Sequence, residues 1–230
     1  MIVSTSSSKD FSLFSGERQT ATSVSDIRLD HLLRYQFAKD YIEQNKHSIH
    51  SCLDLFCGNG YGTYFLSKAF SEIIFNGIDG SEDAIKCAKD HYSLLNNSFE
   101  TKVFPFSHFN TYDLVVCFES LEHVENESSL ISLICNSINK GGYLLLSVPN
   151  EDLHPLSLNP HPFHFRHYTY EEVFAKLNPK FEILNWYGQN TYKFTLDGRN
   201  TYHLLKDSEM NLIEKQEGQV NVYVLKKRDA

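Results

Sequence analysis

The chain has 230 residues, 41% of them hydrophobic, and a formal net charge of −8. That apolar share supports a sizeable core and excludes general disorder. The acidic balance disfavours extended nucleic-acid binding, because the one basic run is Lys226-Lys227-Arg228 near the C-terminus.

No apolar run reaches the length of a membrane span. No basic start followed by an apolar stretch marks a secretory leader. Five cysteines, at 52, 57, 87, 117 and 135, contain no C-x-x-C pair. A disulfide framework or zinc site is therefore not expected, and a reducing cytoplasm is.

Residues 1–14 read as a flexible tail, Ser/Thr-rich at its start. Apolar residues then recur near helical spacing from Ile27 to Ile42, which predicts a helix capped by Asp26 inside an N-terminal cover over 15–48. A strand is expected over 51–56, a helix from Tyr61 to Phe70, and a strand over 73–78. Ser81 caps a helix from Glu82 to His91, with two acids in its first turn. A third strand is placed over 99–104. Asp113-Leu114-Val115-Val116-Cys117-Phe118 is apolar after a single acid, the pattern of a strand buried on both faces.

A helix within 126–138 leads through a turn at Gly141-Gly142 to a strand over 143–148, which Pro149 ends. Prolines at 149, 155, 160 and 162 mark an ordered loop through 168. Thr169 caps a helix over 170–177. Segments 181–187 and 220–225 alternate as a last strand pair. The polar insertion between them, 188–218, has no defined pattern. Strand–helix alternation predicts an α/β fold with a mostly parallel sheet, in a single domain over 15–230.

One stretch carries the most information: Leu53-Asp54-Leu55-Phe56-Cys57-Gly58-Asn59-Gly60-Tyr61-Gly62, a strand running into three alternating glycines before a helix. Gly77-Ile78-Asp79 follows, a second strand ending in an acid. In an α/β sheet this pairing grips a nucleoside cofactor at the carboxyl ends of the strands. The glycines let backbone approach the ligand where a Cβ would stand, and the acid accepts hydrogen bonds from ribose hydroxyls. The plainer alternative is a glycine-rich turn that holds nothing. A dinucleotide fold reads G-x-G-x-x-G, whereas this run is G-x-G-x-G, with Asp54 four residues before Gly58.

The D-x-F-C-G-x-G-x-G form resembles motif I of class I S-adenosylmethionine (SAM)-dependent methyltransferases. The resemblance implies a Rossmann-like, mostly parallel seven-stranded sheet with helices on both faces and an antiparallel final strand. It implies SAM as cofactor, Asp79 as the ribose acid, and Gly58 and Gly60 lining the methionine–adenosine pocket. Asp54, Phe56, Tyr61, Gly80, Phe104, Phe118 and Glu119 fall in the same cofactor site. Such proteins usually supply an acid near strand 3 for the adenine amine. Here Thr101-Lys102-Val103-Phe104-Pro105-Phe106 has none, with Glu100 just before, and Phe104 and Phe106 stand as an apolar adenine slot.

A second constellation, Glu119-Ser120-Leu121-Glu122-His123-Val124, follows the fourth strand. If a helical turn starts there, positions 119, 122 and 123 share one face. Three readings stay open. His123, assisted by Glu119, is a general base for the methyl acceptor, since imidazole titrates near neutrality. Alternatively Glu119, Glu122 and His123 hold a hard divalent ion such as Mg²⁺. In the third reading Glu119 supports the methionine end of the cofactor, Glu122 is solvated and His123 merely packs. The segment resembles the motif after strand 4 in a methyltransferase subgroup that includes the ubiquinone-biosynthesis O-methyltransferases, where E-x-x-E-H is associated with a metal.

Two flanking segments resemble bacterial methyltransferases of surface polysaccharides and sugars. They are Ser15-Gly16-Glu17-Arg18 with His31-Leu32-Leu33-Arg34-Tyr35-Gln36-Phe37-Ala38, and Asn159 to Thr169 with Glu171-Glu172. In the second, His161, His164 and His167 recur every three residues around Arg166. They read as substrate contacts, as a metal site or as a plain structural loop. Arg18, Arg34 and Arg166 are candidates for an acceptor carboxylate or phosphate, against surface pairing as the plainer role. The expectation is a cytoplasmic SAM-dependent methyltransferase acting on a sugar or glycan hydroxyl. The alternatives are a quinone-type or other aromatic acceptor, and a non-catalytic SAM-binding domain.

Overall fold

The computed structural model describes residues 19–107 and 110–228. Ten strands, five α-helices and three short 3-10 turns are assigned among them. Strands β1 (Ser51–Leu55), β2 (Ile74–Asp79), β3 (Asn97–Thr101), β4 (Tyr112–Phe118) and β5 (Ile138–Pro149) run parallel in the order β3-β2-β1-β4-β5. Then β10 (Val220–Lys227) pairs antiparallel with both β5 and β6 (Phe181–Gln189). The two-residue β9 (Ile213–Glu214) adds to the edge of β6, so the sheet has eight strands rather than the expected seven. Strand order reverses between β1 and β4, and the crevice at that switch point is where α/β sheets bind ligands.

The apolar strands bury alternate residues on opposite faces. Cys52, Leu114, Val116 and Leu145 face a core with helices α1 (Leu29–Gln44), α2 (Tyr61–Ala69) and α3 (Glu82–His91). Leu53, Leu55, Val115, Leu144 and Leu146 face the other core with α4 (Glu127–Asn136) and α5 (Tyr170–Leu177). Each such fully buried Leu or Val side chain is worth about 1.5–3 kcal/mol. No described helix is long and apolar enough to cross a membrane.

Helix starts follow local chemistry. The Ser81 Oγ accepts from the Ala84 N–H, and Thr169 and Glu172 form a reciprocal capping box at the start of α5. Asp26 does not cap α1: it belongs to a 3-10 turn, Val24–Asp26, and extended Arg28 stands at the helix start. β3 stops at Thr101, short of the expected 104, and Pro105, four residues on, has no N–H for a ladder. Gly141-Gly142 is not a turn between a helix and a strand. Both glycines lie inside β5, where the pairing shifts from Tyr112↔Ile138 to Leu114↔Tyr143 and Gly141 takes φ +72°, as in a bulge.

The insertion 188–218 is ordered. It contains a hairpin of β7 (Tyr192–Phe194) and β8 (Asn200–Leu204), a 3-10 turn over Asp207–Glu209, and β9. The Gln219 side chain staples it, accepting from the Thr191 and Tyr192 N–H groups and donating to the Tyr192 carbonyl. The expected tail over 1–14 and the Ser15–Arg18 part of the cover, including Arg18, lie outside the described residues.

Candidate active site

The three glycines after β1 do different work. Gly58 takes φ +56° and lines two adjoining cavities, and a Cβ built on it meets no atom within 4 Å. A side chain there would project into the space a ligand needs. Gly60, expected in the pocket, is instead a packing position. At φ +85° its Cβ would stand 2.6 Å from the Ala88 Cβ and 2.7 Å from the Phe99 ring, because α2 starts there against α3 and β3. A Cβ on Gly62 would lie 1.9 Å from the Tyr35 ring, so this glycine admits α1.

Asp54, another expected cofactor residue, lines neither cavity. It is buried under the glycine turn, where its carboxylate accepts from the Tyr35 hydroxyl at 3.1 Å and the Thr63 hydroxyl at 2.7 Å. Burial pushes its pKa up to about 6, against the lowering effect of those hydrogen bonds. Its role is to tie β1, α1 and α2 together.

The cavity on the β2 side, about 400 Å³, is lined by Asp79, Gly80, Phe104, Pro105, Ser120, Asn126 and Phe165 together with shared residues. The Asp79 carboxylate accepts the Gly58 N–H at 3.0 Å and the Ser81 N–H at 2.8 Å, which fixes its orientation at the rim. Phe104 forms the apolar wall. Phe106 lies behind it at a ring separation of 6.5 Å, and Glu100 is turned to Lys102 on the surface. The second cavity, about 390 Å³, lies beneath α1, the 150–168 loop and the 188–218 insertion. The two meet at Phe56, Gly58, Glu119 and His123, which line both. Phe56 and Glu119 have φ +62° and +47°, and left-handed backbone at non-glycine positions collects at functional sites.

Glu119 directly follows β4, with its N–H on the Ser147 carbonyl and its Oε1 accepting the Ser147 hydroxyl at 2.8 Å. Burial raises its pKa, opposed by the Arg34 charge and the Ser147 bond. The chain then makes a 3-10 turn over Leu121–His123, not the single helical face that would bring 119, 122 and 123 together. Glu119 is thereby turned away, and the residues whose ligand atoms lie within 4.8 Å of one another are Glu122, His123 and His164. Glu122 is fully buried rather than solvated, and its Oε1 lies 3.8 Å from the His123 Nε2. The Glu119, Glu122 and His123 trio does not form a hard-ion site, because one carboxylate is elsewhere and two of the three converging donors are imidazoles.

The family profile described as methyltransferase domain matches residues 25–197. The chain belongs to the methyltransferase-domain family. Curated relatives include ubiquinone biosynthesis O-methyltransferases, three of which follow. That of Hydrogenovibrio crunogenus is 29% identical over 147 residues, covering 60% of this chain and 55% of the relative. That of Shewanella pealeana is 31% identical over 125 residues, covering 50% of each. The Bordetella avium protein is 27% identical over 171 residues, covering 72% and 60%.

The chain thus spans about half the length of the curated relatives it matches. Among solved structures, the magnesium protoporphyrin IX methyltransferase of Synechocystis PCC 6803, with bound S-adenosylhomocysteine (SAH), aligns with TM-score 0.64 at 16% identity, covering 92% of this chain and 90% of that one. The N-methyltransferase NodS of Bradyrhizobium japonicum, also with SAH, gives 0.59 at 15%, covering 85% and 86%. These likenesses share the Rossmann-like fold described above.

In this member of the methyltransferase-domain family, the remaining expected residues divide. Tyr61, Phe118, Arg34, His161 and His164 line the second cavity. Arg34 is buried and donates to Gln189 Oε1 at 2.6 Å, and its Nη2 lies 3.8 Å from Asp30. Arg166 does not reach either cavity: it pairs with Glu127 at 3.1 Å and donates to the Glu125 carbonyl. His167 is buried behind the cavity with its Nδ1 2.6 Å from the His154 carbonyl, and its Nε2 meets His164 Nδ1 at 2.8 Å. Burial lowers the pKa values of His154, His161, His164 and His167, that of His154 to about 4, which favours the neutral imidazoles.

Sequence reasoning did not reach Arg28, Asp30, Thr191, Tyr192, Asn200 and Gln219, which line the second cavity. Arg28 binds Asp30 and the Tyr192 hydroxyl. Burial alone would raise the Asp30 carboxyl, but the hydrogen bond from Arg28 and the charges of Arg34, His31 and Arg28 outweigh it and hold it well below the usual range. Only the density of charge over residues 28–34 signals this cluster in the sequence.

Proposed function

We propose that this domain is a SAM-dependent O-methyltransferase acting on an aromatic, quinone-type small molecule. The observation that carries the reading is the meeting of the two cavities at Phe56, Gly58, Glu119 and His123. One cavity has the groups a nucleoside needs: the oriented Asp79 carboxylate, the open Gly58 and the Phe104 wall. The other is roomy enough for a small acceptor, so the two ligands would touch where the cavities join. The names of the curated relatives support a quinone-type ring, and the aromatic rings of Phe56 and Phe118 support a flat one.

When bound, SAM supplies an already electrophilic methyl carbon, so the protein need only hold the acceptor oxygen in line and exclude water. Glu119, fixed by Ser147, supports the wall between the cavities. His123 stands at the junction and takes the acceptor hydroxyl proton as general base. The buried Glu122 carboxylate, 3.8 Å from the His123 Nε2, favours the imidazolium that results. α1, the 150–168 loop and the insertion cover the acceptor side. The cysteine usage supports a cytoplasmic site of action.

A sugar hydroxyl is the second reading. It is favoured by the hydrogen-bonding groups of Asn159, Thr191, Asn200 and Gln219 along the acceptor cavity. None of the relatives named above carries a sugar in its name. Release of SAH from SAM, measured with parallel panels of catechols, hydroxylated benzoquinones and free or nucleotide-linked sugars, separates the two. Turnover with the ring compounds alone supports the proposal. Turnover with sugars alone replaces it with the second reading, and none with either panel or a cell extract overturns both.

A further inference from the structure

Three residues of the second cavity have no part in the methyl transfer itself: Arg28, just before α1, and Tyr192 and Tyr202 on the β7–β8 hairpin. None of the three lines the β2-side cavity. Two guanidiniums share the Asp30 carboxylate. Arg28 binds it through Nε and Nη2, and the Arg34 Nη2 lies 3.8 Å away. Burial, with the Arg34 charge, lowers the pKa of neighbouring His31 to about 3, which favours the neutral ring. Two cations thus face one carboxylate. Arg34 is turned inward to Gln189, and its charge acts on Glu119. The positive charge left for a ligand is that of Arg28, whose side chain is 31% exposed.

The hydrogen bonds point the same way. Arg28 Nη1 donates to the Tyr192 hydroxyl oxygen, and the guanidinium carbon lies 5.3 Å from the centre of the Tyr192 ring. A guanidinium only donates, so the Tyr192 hydroxyl keeps its own hydrogen to give, and the adjoining charge makes it a stronger donor. Tyr202 stands beside this pair, its ring edge-on to that of Tyr192 at 6.5 Å. It is 76% exposed and has φ +58° within β8. Left-handed backbone is costly for an aromatic residue, and burial of its own ring does not offset that cost here. Neighbours impose the conformation: the Tyr202 N–H donates to Asn200 Oδ1 at 2.7 Å, and the Asn200 N–H to Asn159 Oδ1 at 2.6 Å. The 150–168 loop thus holds this ring where it lines the cavity.

We propose that the acceptor is a compact hydroxylated aromatic carboxylate, whose ring Tyr202 covers and whose carboxylate accepts from the Tyr192 hydroxyl and Arg28 Nη1. The proposal rests on the ring-acceptor reading above and narrows it. A ring offers a flat face and an edge, and an exposed tyrosine ring packs on either. A carboxylate accepts from a guanidinium and from a polarised hydroxyl together, in charge-assisted bonds. A long apolar tail in the same place would take Arg28 out of water with no hydrogen bond in return. The cavity therefore selects rings with a short anionic substituent over rings with such a tail.

3,4-Dihydroxybenzoate, its methyl ester and catechol are titrated into the SAH-loaded protein by calorimetry, and their turnover with SAM is measured. The wild type is expected to bind the carboxylate roughly 10-fold or more tighter than the ester. Tyr192→Phe and Arg28→Met each cut that preference to about threefold or less, through the KM of the carboxylate, while SAH affinity holds. Tyr202→Leu weakens all three rings roughly 5-fold or more. Tyr202→Gly does the same without lowering the urea midpoint, because glycine takes φ +58° freely. Circular dichroism and the urea midpoint certify each fold, and Tyr192→Phe, which removes one oxygen, decides the matter if Arg28→Met does not fold. Four results overturn the proposal: no preference for the carboxylate in the wild type, a preference kept in Tyr192→Phe, wild-type ring binding in Tyr202→Leu, or a loss in folded Arg28→Met that falls equally on SAH. The last would make the anion the cofactor's own carboxylate. Turnover of catechol or the ester with no preference for the carboxylate sinks this inference and leaves the ring-acceptor reading standing.

Discussion

The two cavities of this methyltransferase-family domain are built by different means. The side proposed for the cofactor is assembled from contiguous pieces: a strand end, a glycine turn and the next strand end, with Gly58 and Asp79 only 21 residues apart. Its key contacts run from backbone N–H groups to one carboxylate. The side proposed for the acceptor is assembled from remote pieces by side chains. Arg34 reaches Gln189 across 155 residues, Arg28 reaches Tyr192 across 164, and Asn159 holds Asn200 across 41. Backbone geometry makes a site whose ligand is set by the fold. Side-chain contacts over long separations make one that can change its ligand while the sheet stays the same.

The difference can be broken most sharply at the junction. His123→Ala is expected to lower turnover roughly 10²–10⁴-fold, while SAH affinity stays within about twofold, since this imidazole serves the acceptor. Steady-state kinetics with calorimetry checks both, and full activity in the variant removes the base role. The next largest effect is on stability. Gly62→Val places a branched side chain where even a Cβ lies 1.9 Å from the Tyr35 ring. A cost of ~3 kcal/mol is expected in urea unfolding, with α1 displaced and the second cavity opened.

Gln189→Ala acts on the acceptor side alone. The buried amide accepts from Arg34 and donates to the Asp30 and Met210 carbonyls. Its loss costs ~1–3 kcal/mol through stranded buried partners. The acceptor KM rises several-fold more than the SAM KM, and an equal rise in both would erase the distinction between the two sides.

Asp54 gives the smallest effect, read through pH. Its folded pKa, about 6, lies above the ordinary 3.8. The folded state therefore holds this proton more tightly, and the stability it brings is complete below pH ~4 and lost as pH rises to ~6. Asp54→Asn removes that component, so the difference in urea midpoint between variant and wild type changes across this window and is flat above it.

The same contrast explains what the sequence revealed. The glycine turn, the strand end at Asp79, the Ser81 cap, α3 and α5 were legible because each depends on residues close in the chain. Gly60 and Asp54 were misassigned because motif spacing does not say whether a residue faces a ligand or the packing beneath it. Gly141-Gly142 read as a turn, although a glycine pair serves equally well as a bulge within a long strand. The E-x-x-E-H spacing assumed an α-helical turn. The 3-10 turn and the left-handed Glu119 rotate that carboxylate to Ser147 and bring in His164 from a loop more than forty residues away. The 188–218 insertion was opaque because Gln219, Asn159 and Arg28 hold it from elsewhere, not its own periodicity.

The account rests on Asp79 and Gly58 forming an adenosyl-binding rim. Calorimetric titration of SAH into the wild type and Asp79→Ala, side by side, tests it most directly. A saturable one-to-one isotherm for the wild type, weakened at least roughly 30-fold in a variant of unchanged fold, is the predicted result. Equal affinity in the two proteins, or no heat with the folded wild type, would contradict it.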